Sequence, residues 1–322
     1  MKSPDAAPPL AVVQHRGVTL MPAIAERSGG FQFSLGAFDA VGDPVTGVAH
    51  RRHGGVTVPP APPAAPPALR WSGPHLYAGV VFGQFGHFVA ESLSRLWAMR
   101  AAPEAALVWH RHPAWTAPGL SRWQQDVLAL AGLGGRTHRF IDAPVVVDDI
   151  LVPEQGHVMG HVLHPAQVRA LGVHPFRAPQ AGRRLWVSRS ALAKANGMIE
   201  REDELEALLR DRRWEVVHPE RRDVAAQLAL YEDAEILAGF EGSAFHLLLM
   251  GRDIRARVLL LDRRLAPAQH RTYDIIAQAL GFPQERLSVA LDPVRGRGNT
   301  GTWRLQHPAA AAAALDSAAG AP

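Results

Sequence analysis

Leu185-Trp186-Val187-Ser188-Arg189 and, further along, Leu237-Ala238-Gly239-Phe240-Glu241-Gly242-Ser243-Ala244 decide how this chain folds. Each is a short apolar run that reads as a strand. The first ends on an arginine and the second on a glycine-bracketed turn, neither suited to a strand interior. Around them the sequence predicts strands over 184–188, 214–218, 235–238 and 257–261 alternating with helices over 202–210, 224–231, 243–250 and 273–280. Such alternation is that of βαβ crossovers and argues for a parallel sheet. At the carboxyl ends of parallel strands, loop amides and helix starts hold phosphorylated ligands.

Outward from this segment the pattern is less regular. Residues 1–58 carry short apolar runs broken by Gly and Pro and read as small strands or irregular cover, and the Pro/Ala stretch 59–67 reads as a stiff connector. A strand over 76–82 leads into a helix over 87–100, where Phe88, Leu93, Leu96 and Trp97 line one face. A strand over 106–109, a helix over 120–131 and a strand over 145–147 that stops at Asp148-Asp149 follow. A Gly/His/Pro-rich bridge over 157–179 holds one short helix at 167–171, and the Ala-rich tail 308–322 reads as a frayed end. The expected division is an N-terminal segment and linker over 1–70, an α/β domain over 71–179 and a second α/β domain over 180–322.

Composition narrows the chemistry. Hydrophobic residues make up 47% and charged residues 20% of the 322, enough for a packed core. With no cysteine there is no disulfide, thiolate metal site or cysteine nucleophile, so Ser, His, Asp or Glu must carry any chemistry. The net charge of +4, with Arg well ahead of Lys, suits anionic ligands, but no interleaved basic-aromatic stripe points to nucleic acid. Residues 1–25 hold no apolar core of signal-peptide length and no run in the chain has the length of a membrane span, which sets the expectation of a cytoplasmic protein, peripheral at the inner membrane where lipids or glycans carry its substrate.

Two groups of residues stand out as chemistry. Arg189 should emerge at the ligand-facing edge, where a guanidinium can clamp two phosphate oxygens. The turn holding Gly239, Glu241, Gly242 and Ser243 would present helix-start amides to the same phosphate, with Glu241 turned to sugar or ribose hydroxyls and His246 following. In the first half, His87 and Glu91 are four apart on a predicted helix, a spacing that lets a carboxylate orient an imidazole for proton transfer. Arg95, one turn on, either neutralises Glu91 or reaches an anionic ligand. Three histidines at 157, 161 and 164 have metal-like spacing, but intervening glycines break the helix such a site needs, so no metal is expected. Asp148-Asp149 reads as a polar strand end. The carboxylates at 200, 202, 203 and 204 suit a helix start, and Trp109, Trp115 and Trp123 suit core packing or sugar stacking.

On these residues the chain resembles family 61 glycosyltransferases, in particular bacterial members of polysaccharide biosynthesis. Gly86-His87-Phe88-Val89-Ala90-Glu91, Ser188-Arg189, the 199–205 segment, Pro219-Glu220, Gln227 and Gly239 to Ala244 carry the likeness, over about 76–261. The family's Asn-Glu pair falls on Arg201-Glu202, which makes Glu202 a donor-site residue. Its Gly-Pro-His-Gly turn falls on Gly239-Phe240-Glu241-Gly242, with Pro and His replaced. The resemblance implies an α/β, GT-B-like fold with two Rossmann-like domains facing a central cleft, plus a small irregular or β N-terminal segment. It implies an inverting, metal-independent transfer, without cofactor, from a nucleotide sugar, UDP-linked by preference, to a glycan or other hydroxyl acceptor. His87 or Glu91 would be the base, and Arg95, Arg189, Glu202, Gly239, Glu241, Gly242, Ser243 and His246 would hold substrate. A non-catalytic nucleotide or sugar binder on the same fold is the alternative. A dinucleotide oxidoreductase lacks its GxGxxG turn after Ser188.

Overall fold

A computed structural model describes residues 8–28, 31–192, 197–263, 265–296 and 301–320. It is a mixed α/β protein that separates into two compact units, Met1–Leu171 and Gly172–Pro322.

The first unit is built on a six-stranded sheet. Its strands are β1 (Val12–Ser28), β2 (Phe31–Phe38), β3 (Leu69–Val81), β4 (Ala106–Arg111), β5 (His138–Ile141) and β6 (Val145–Pro153), in the order β2-β1-β6-β3-β4-β5. β3, β4, β5 and β6 run parallel, while β1 pairs antiparallel with both β2 and β6. The N-terminal residues, read as small strands or irregular cover, supply two strands of the main sheet. Val18, Leu20, Phe33, Leu35, Tyr77, Val80 and Val147 form one buried cluster there. β6 does not stop at Asp148-Asp149 but continues to Pro153, because β1 pairs with it along that length and lets alternate residues face solvent.

The expected helix over 87–100 is broken. An α-helical turn, α1 (Phe85–His87), passes directly into a π-helical turn over Phe88–Ser92, and only after Leu93 does α2 (Leu96–Met99) begin. Phe88, Leu93 and Leu96 are buried as the apolar spacing required. Further on, α3 (Arg122–Leu130) starts on a Ser121/Gln124 capping box, and α4 (Pro165–Leu171) closes the unit.

The second unit holds a five-stranded, wholly parallel sheet. β7 (Arg184–Val187), β8 (Glu215–Val217), β9 (Ile236–Phe240), β10 (Arg257–Leu261) and β11 (Gln284–Leu287) lie in the order β8-β7-β9-β10-β11. α5 (Glu202–Asp211), α6 (Val224–Tyr231) and α7 (Pro267–Leu280) connect them, with a 3₁₀ segment, Ser243–Met250, after β9. The chain leaves β7 toward β8, then returns to the other side of β7 as β9 and continues outward. The order therefore reverses between β7 and β9, the switch point of an open parallel sheet.

The Ala-rich tail is no frayed end. It forms α8 (Pro308–Ala319), whose Ala311, Ala312 and Leu315 are buried in one cluster with Leu205, Leu209 and Trp214. Alanine lets the two helices approach closely, and Trp214 Nε1 donates to Asp316 at 2.8 Å. Among the described residues no helix is long and apolar enough to cross a membrane.

Candidate functional site

Arg189 and the turn after β9 meet at the reversal point of the parallel sheet. The Arg189 guanidinium lies on Gly242, where an added Cβ would stand 2.4 Å from its Nη1. Gly239, at the end of β9, packs against the carbonyl of Val187, which a Cβ would meet at 2.7 Å. Two glycines thus bring the turn under the arginine, and Ser243 begins the 3₁₀ segment exposed beside it.

A second arginine joins the first. Arg263 follows β10 as Arg189 follows β7, and is 6% exposed. Its Nη1 donates to the carbonyl of Gly197 at 2.9 Å, while its Nε is buried without a partner among the described residues. Burial, then the neighbouring positive charge of Arg189, push its pKa down to about 10. Burial likewise lowers Arg189, against the pull of Glu202, Tyr273 and Glu220. Glu202 does not neutralise the pair. It is 1% exposed and accepts the Arg189 backbone N–H at 3.1 Å, but burial raises its pKa to about 8, so it stays largely protonated at neutral pH. Two buried guanidinium groups beside an uncharged acid make a site that favours an anion.

Glu241 is closed off beside Arg263, whose backbone N–H lies 3.5 Å from its Oε2. Its carboxylate is fully buried and accepts from Arg286 Nε and His270 Nδ1, each at 2.7 Å. Expected to meet sugar hydroxyls, it is committed to an internal ion-pair cluster because its partners arrive from α7 and β11. Glu241, Asp262 and His270 can each offer one ligand atom within 4.8 Å of the others, the spacing of a metal site. Arg286 already donates to Glu241 Oε1, and its positive charge opposes a metal ion there. His246 is 7% exposed with its ring stacked on Tyr273, the centroids 5.2 Å apart.

In the first unit the π-helical turn carries Glu91, which is 1% exposed and held from both sides. His87 Nδ1 lies 2.5 Å from Oε2, and His50 Nε2 lies 3.0 Å from Oε1. Arg52 Nη1 approaches Oε2 at 3.6 Å. Burial opposes ionisation of Glu91, yet the hydrogen bonds from His50 and His87 hold its pKa well below the usual carboxylate range. His87 is the exposed member, with 30% of its side chain accessible. Phe82, at the end of β3, packs on His50, His87 and His112.

Arg95, expected either to neutralise Glu91 or to reach an anionic ligand, does neither. It is 1% exposed, donates to the carbonyls of Pro153, Gly47 and Ala49, and lies over the Tyr77 ring. The break after the π turn rotates it into the interior, under the bulge at Gly79, where φ is +113° and a Cβ would stand 3.0 Å from its Nη1. Trp109 is core, bonded to His138, and Trp115 packs against Arg111 and Phe140. His157 is buried, with Nδ1 on the carbonyl of Ala90.

The family model for glycosyltransferase 61 matches residues 85–258, more than half of the chain. The chain belongs to glycosyltransferase family 61. It is a glycosyltransferase, which takes a sugar from a donor and passes it to an acceptor. No curated protein matches the chain. The family 61 match includes His87, Glu91, Arg189, Glu202 and Gly242, whereas His50, Arg263, His270 and Arg286 lie outside it. Sequence reasoning missed those four. Arg263 alone left a legible signal, an arginine just past a strand of the same parallel sheet.

Proposed function

We propose that this family 61 enzyme transfers a sugar, with inversion and without an essential metal, from a nucleotide sugar, UDP-linked by preference, to a hydroxyl of a glycan or lipid-linked acceptor. The observation that carries the reading is the Arg189 guanidinium lying on Gly242 at the reversal point of the parallel sheet. That edge is where loop amides and cations receive phosphate groups, and Arg263 adds a second positive charge. The two-domain, cleft-facing arrangement and a role in bacterial polysaccharide assembly in the cytoplasm belong to this proposal and rest on the family resemblance.

In the proposed reaction His87 is the base and Glu91 its orienting carboxylate, since Glu91 is too buried to meet an acceptor. With Nδ1 donating to ionised Glu91, Nε2 of His87 is the nitrogen that takes the acceptor's hydroxyl proton. The freed oxygen attacks the anomeric carbon, a new C–O bond forms, and the bond to the nucleoside diphosphate breaks. Arg189, Arg263 and the amides at Gly242 and Ser243 stabilise the charge that collects on the leaving phosphate.

Calorimetry against UDP-glucose, UDP-galactose, UDP-N-acetylglucosamine, UDP-xylose and GDP-mannose tests the donor site, followed by transfer assays with the nucleotide sugar that binds. Arg189→Ala is expected to weaken that binding about tenfold or more, and His87→Ala to reduce kcat about 100-fold with little change in donor affinity. Unchanged binding in the first variant removes the donor-site assignment. Unchanged transfer in the second removes the base.

A further inference from the structure

We infer that His50 is a positioning residue for transfer: from outside the family match it fixes the Glu91 carboxylate, and through it the orientation and tautomer of His87. The inference rests on the proposed role of His87 as base.

The geometry is a chain of three side chains. His50 is fully buried, and its Nε2 donates to one Glu91 oxygen while His87 Nδ1 donates to the other. Burial lowers the pKa of His50, so it meets Glu91 as a neutral imidazole and adds a hydrogen bond without cancelling the carboxylate charge. A carboxylate held at one oxygen can swing about its terminal torsion, which is broad. Held at both, its plane is fixed, and the proton of His87 has one place to go. An apolar residue at position 50 would fill the volume but leave Oε1 of a buried, ionised carboxylate without this donor.

His50 is itself held in place. Its backbone N–H donates to Thr57 Oγ1 at 2.9 Å, and its carbonyl accepts from the Thr57 N–H at 2.9 Å. Arg95 Nη2 grips the carbonyls of Gly47 and Ala49 just before it, and the Phe82 ring packs on it at 5.4 Å. The buried arginine therefore secures the segment that presents the histidine to Glu91. Arg52, His53 and His112 also act electrostatically around this group, so charge alone is not what distinguishes His50. Its distinction is the bond to Oε1.

The test compares His50→Gln with His50→Met, side chains of similar length that differ in an N–H donor, using transfer kinetics and ¹⁵N-histidine NMR of the ring of His87. The Met variant is expected to lose about tenfold or more in kcat with donor KM within about twofold, and to show His87 as a mixture of ring tautomers. The Gln variant is expected to recover kcat to within about threefold of wild type and keep the single Nδ1–H tautomer. Equal kcat and an unchanged tautomer in both variants overturn the inference, as does equal loss in both. If His87→Ala retains full transfer, the base assignment fails and takes the catalytic consequence of His50 with it. The NMR comparison still decides, independently of that, whether His50 fixes Glu91. Thermal unfolding of each variant separates these results from loss of fold.

Discussion

The guanidinium of Arg189 occupies the space that a side chain at position 242 would need. Gly242 has φ −174°, an extended conformation that alanine adopts without strain, so the requirement for glycine is steric. The atom in the way is the end of a flexible side chain, which can move while the backbone stays.

Gly242→Ala is therefore expected to fold, with stability within about 1 kcal/mol of wild type, while donor affinity falls about tenfold as Arg189 is displaced. At Gly239 the obstruction is the backbone carbonyl of Val187, so Gly239→Ala should lower stability first. Chemical denaturation paired with calorimetry distinguishes the two. Equal loss of stability in both variants would refute the distinction.

Arg263→Met removes the second buried cation but keeps an apolar stem. Donor binding should weaken about tenfold and become less sensitive to salt, because one charge fewer meets the phosphates. Titrations at two ionic strengths measure both effects, and unchanged affinity at low salt would show that Arg263 serves only to anchor Gly197.

Glu202→Gln probes the uncharged acid. Between the unfolded carboxyl value and about pH 8 the folded protein keeps a proton that the unfolded chain has released, so stability falls as pH rises through that window. Glutamine has no such proton. The variant should match wild type near pH 5 and exceed it at pH 9 by on the order of 3 kcal/mol, read from urea unfolding at the two pH values.

Acid should loosen the first unit. His110 and His157 are fully buried, and burial pushes each to about 4. Below pH 6.5 the unfolded state takes up protons that the folded state refuses. Stability is thus complete above that pH and is lost progressively toward pH 4, by on the order of 2 kcal/mol per histidine at pH 5. His110→Asn should flatten the slope of unfolding free energy against pH, and an unaltered slope would argue that His110 accepts a proton in the folded state.

Leu315→Ala should cost about 2–4 kcal/mol, since α8 is part of the core cluster under α5. Thermal unfolding tests it directly, and a Tm equal to that of wild type would mean that α8 contributes little.

The strand and helix alternation of the second unit was legible because each element there obeys its own period and ends on a local signal. The 224–231 helix and the 257–261 strand fall where the pattern put them. What escaped was set by partners distant in sequence. Glu241 reads as a turn residue open to sugar hydroxyls until Arg286 and His270 come back to cover it. Arg95 shares a helical face with Glu91 only if the helix continues, and nothing local announces the π turn at Phe88–Ser92. α8 looked frayed because alanine carries little hydrophobic signal, although its small size is what allows close packing. Asp148-Asp149 looked like a strand end because β1, the strand that extends the pairing, lies at the other end of the unit's sequence.

The bond between His50 and Glu91 joins a residue ahead of the family match to one within it. The segment that defines the family is therefore not portable by itself. A chimaera that grafted residues 85–258 onto another member's N-terminal strands would inherit the buried carboxylate without its upstream donor, unless the host chain offered an equivalent group at the same place. Exchanges between relatives should be cut ahead of β1, so that the segment bearing His50 travels with the turn it braces.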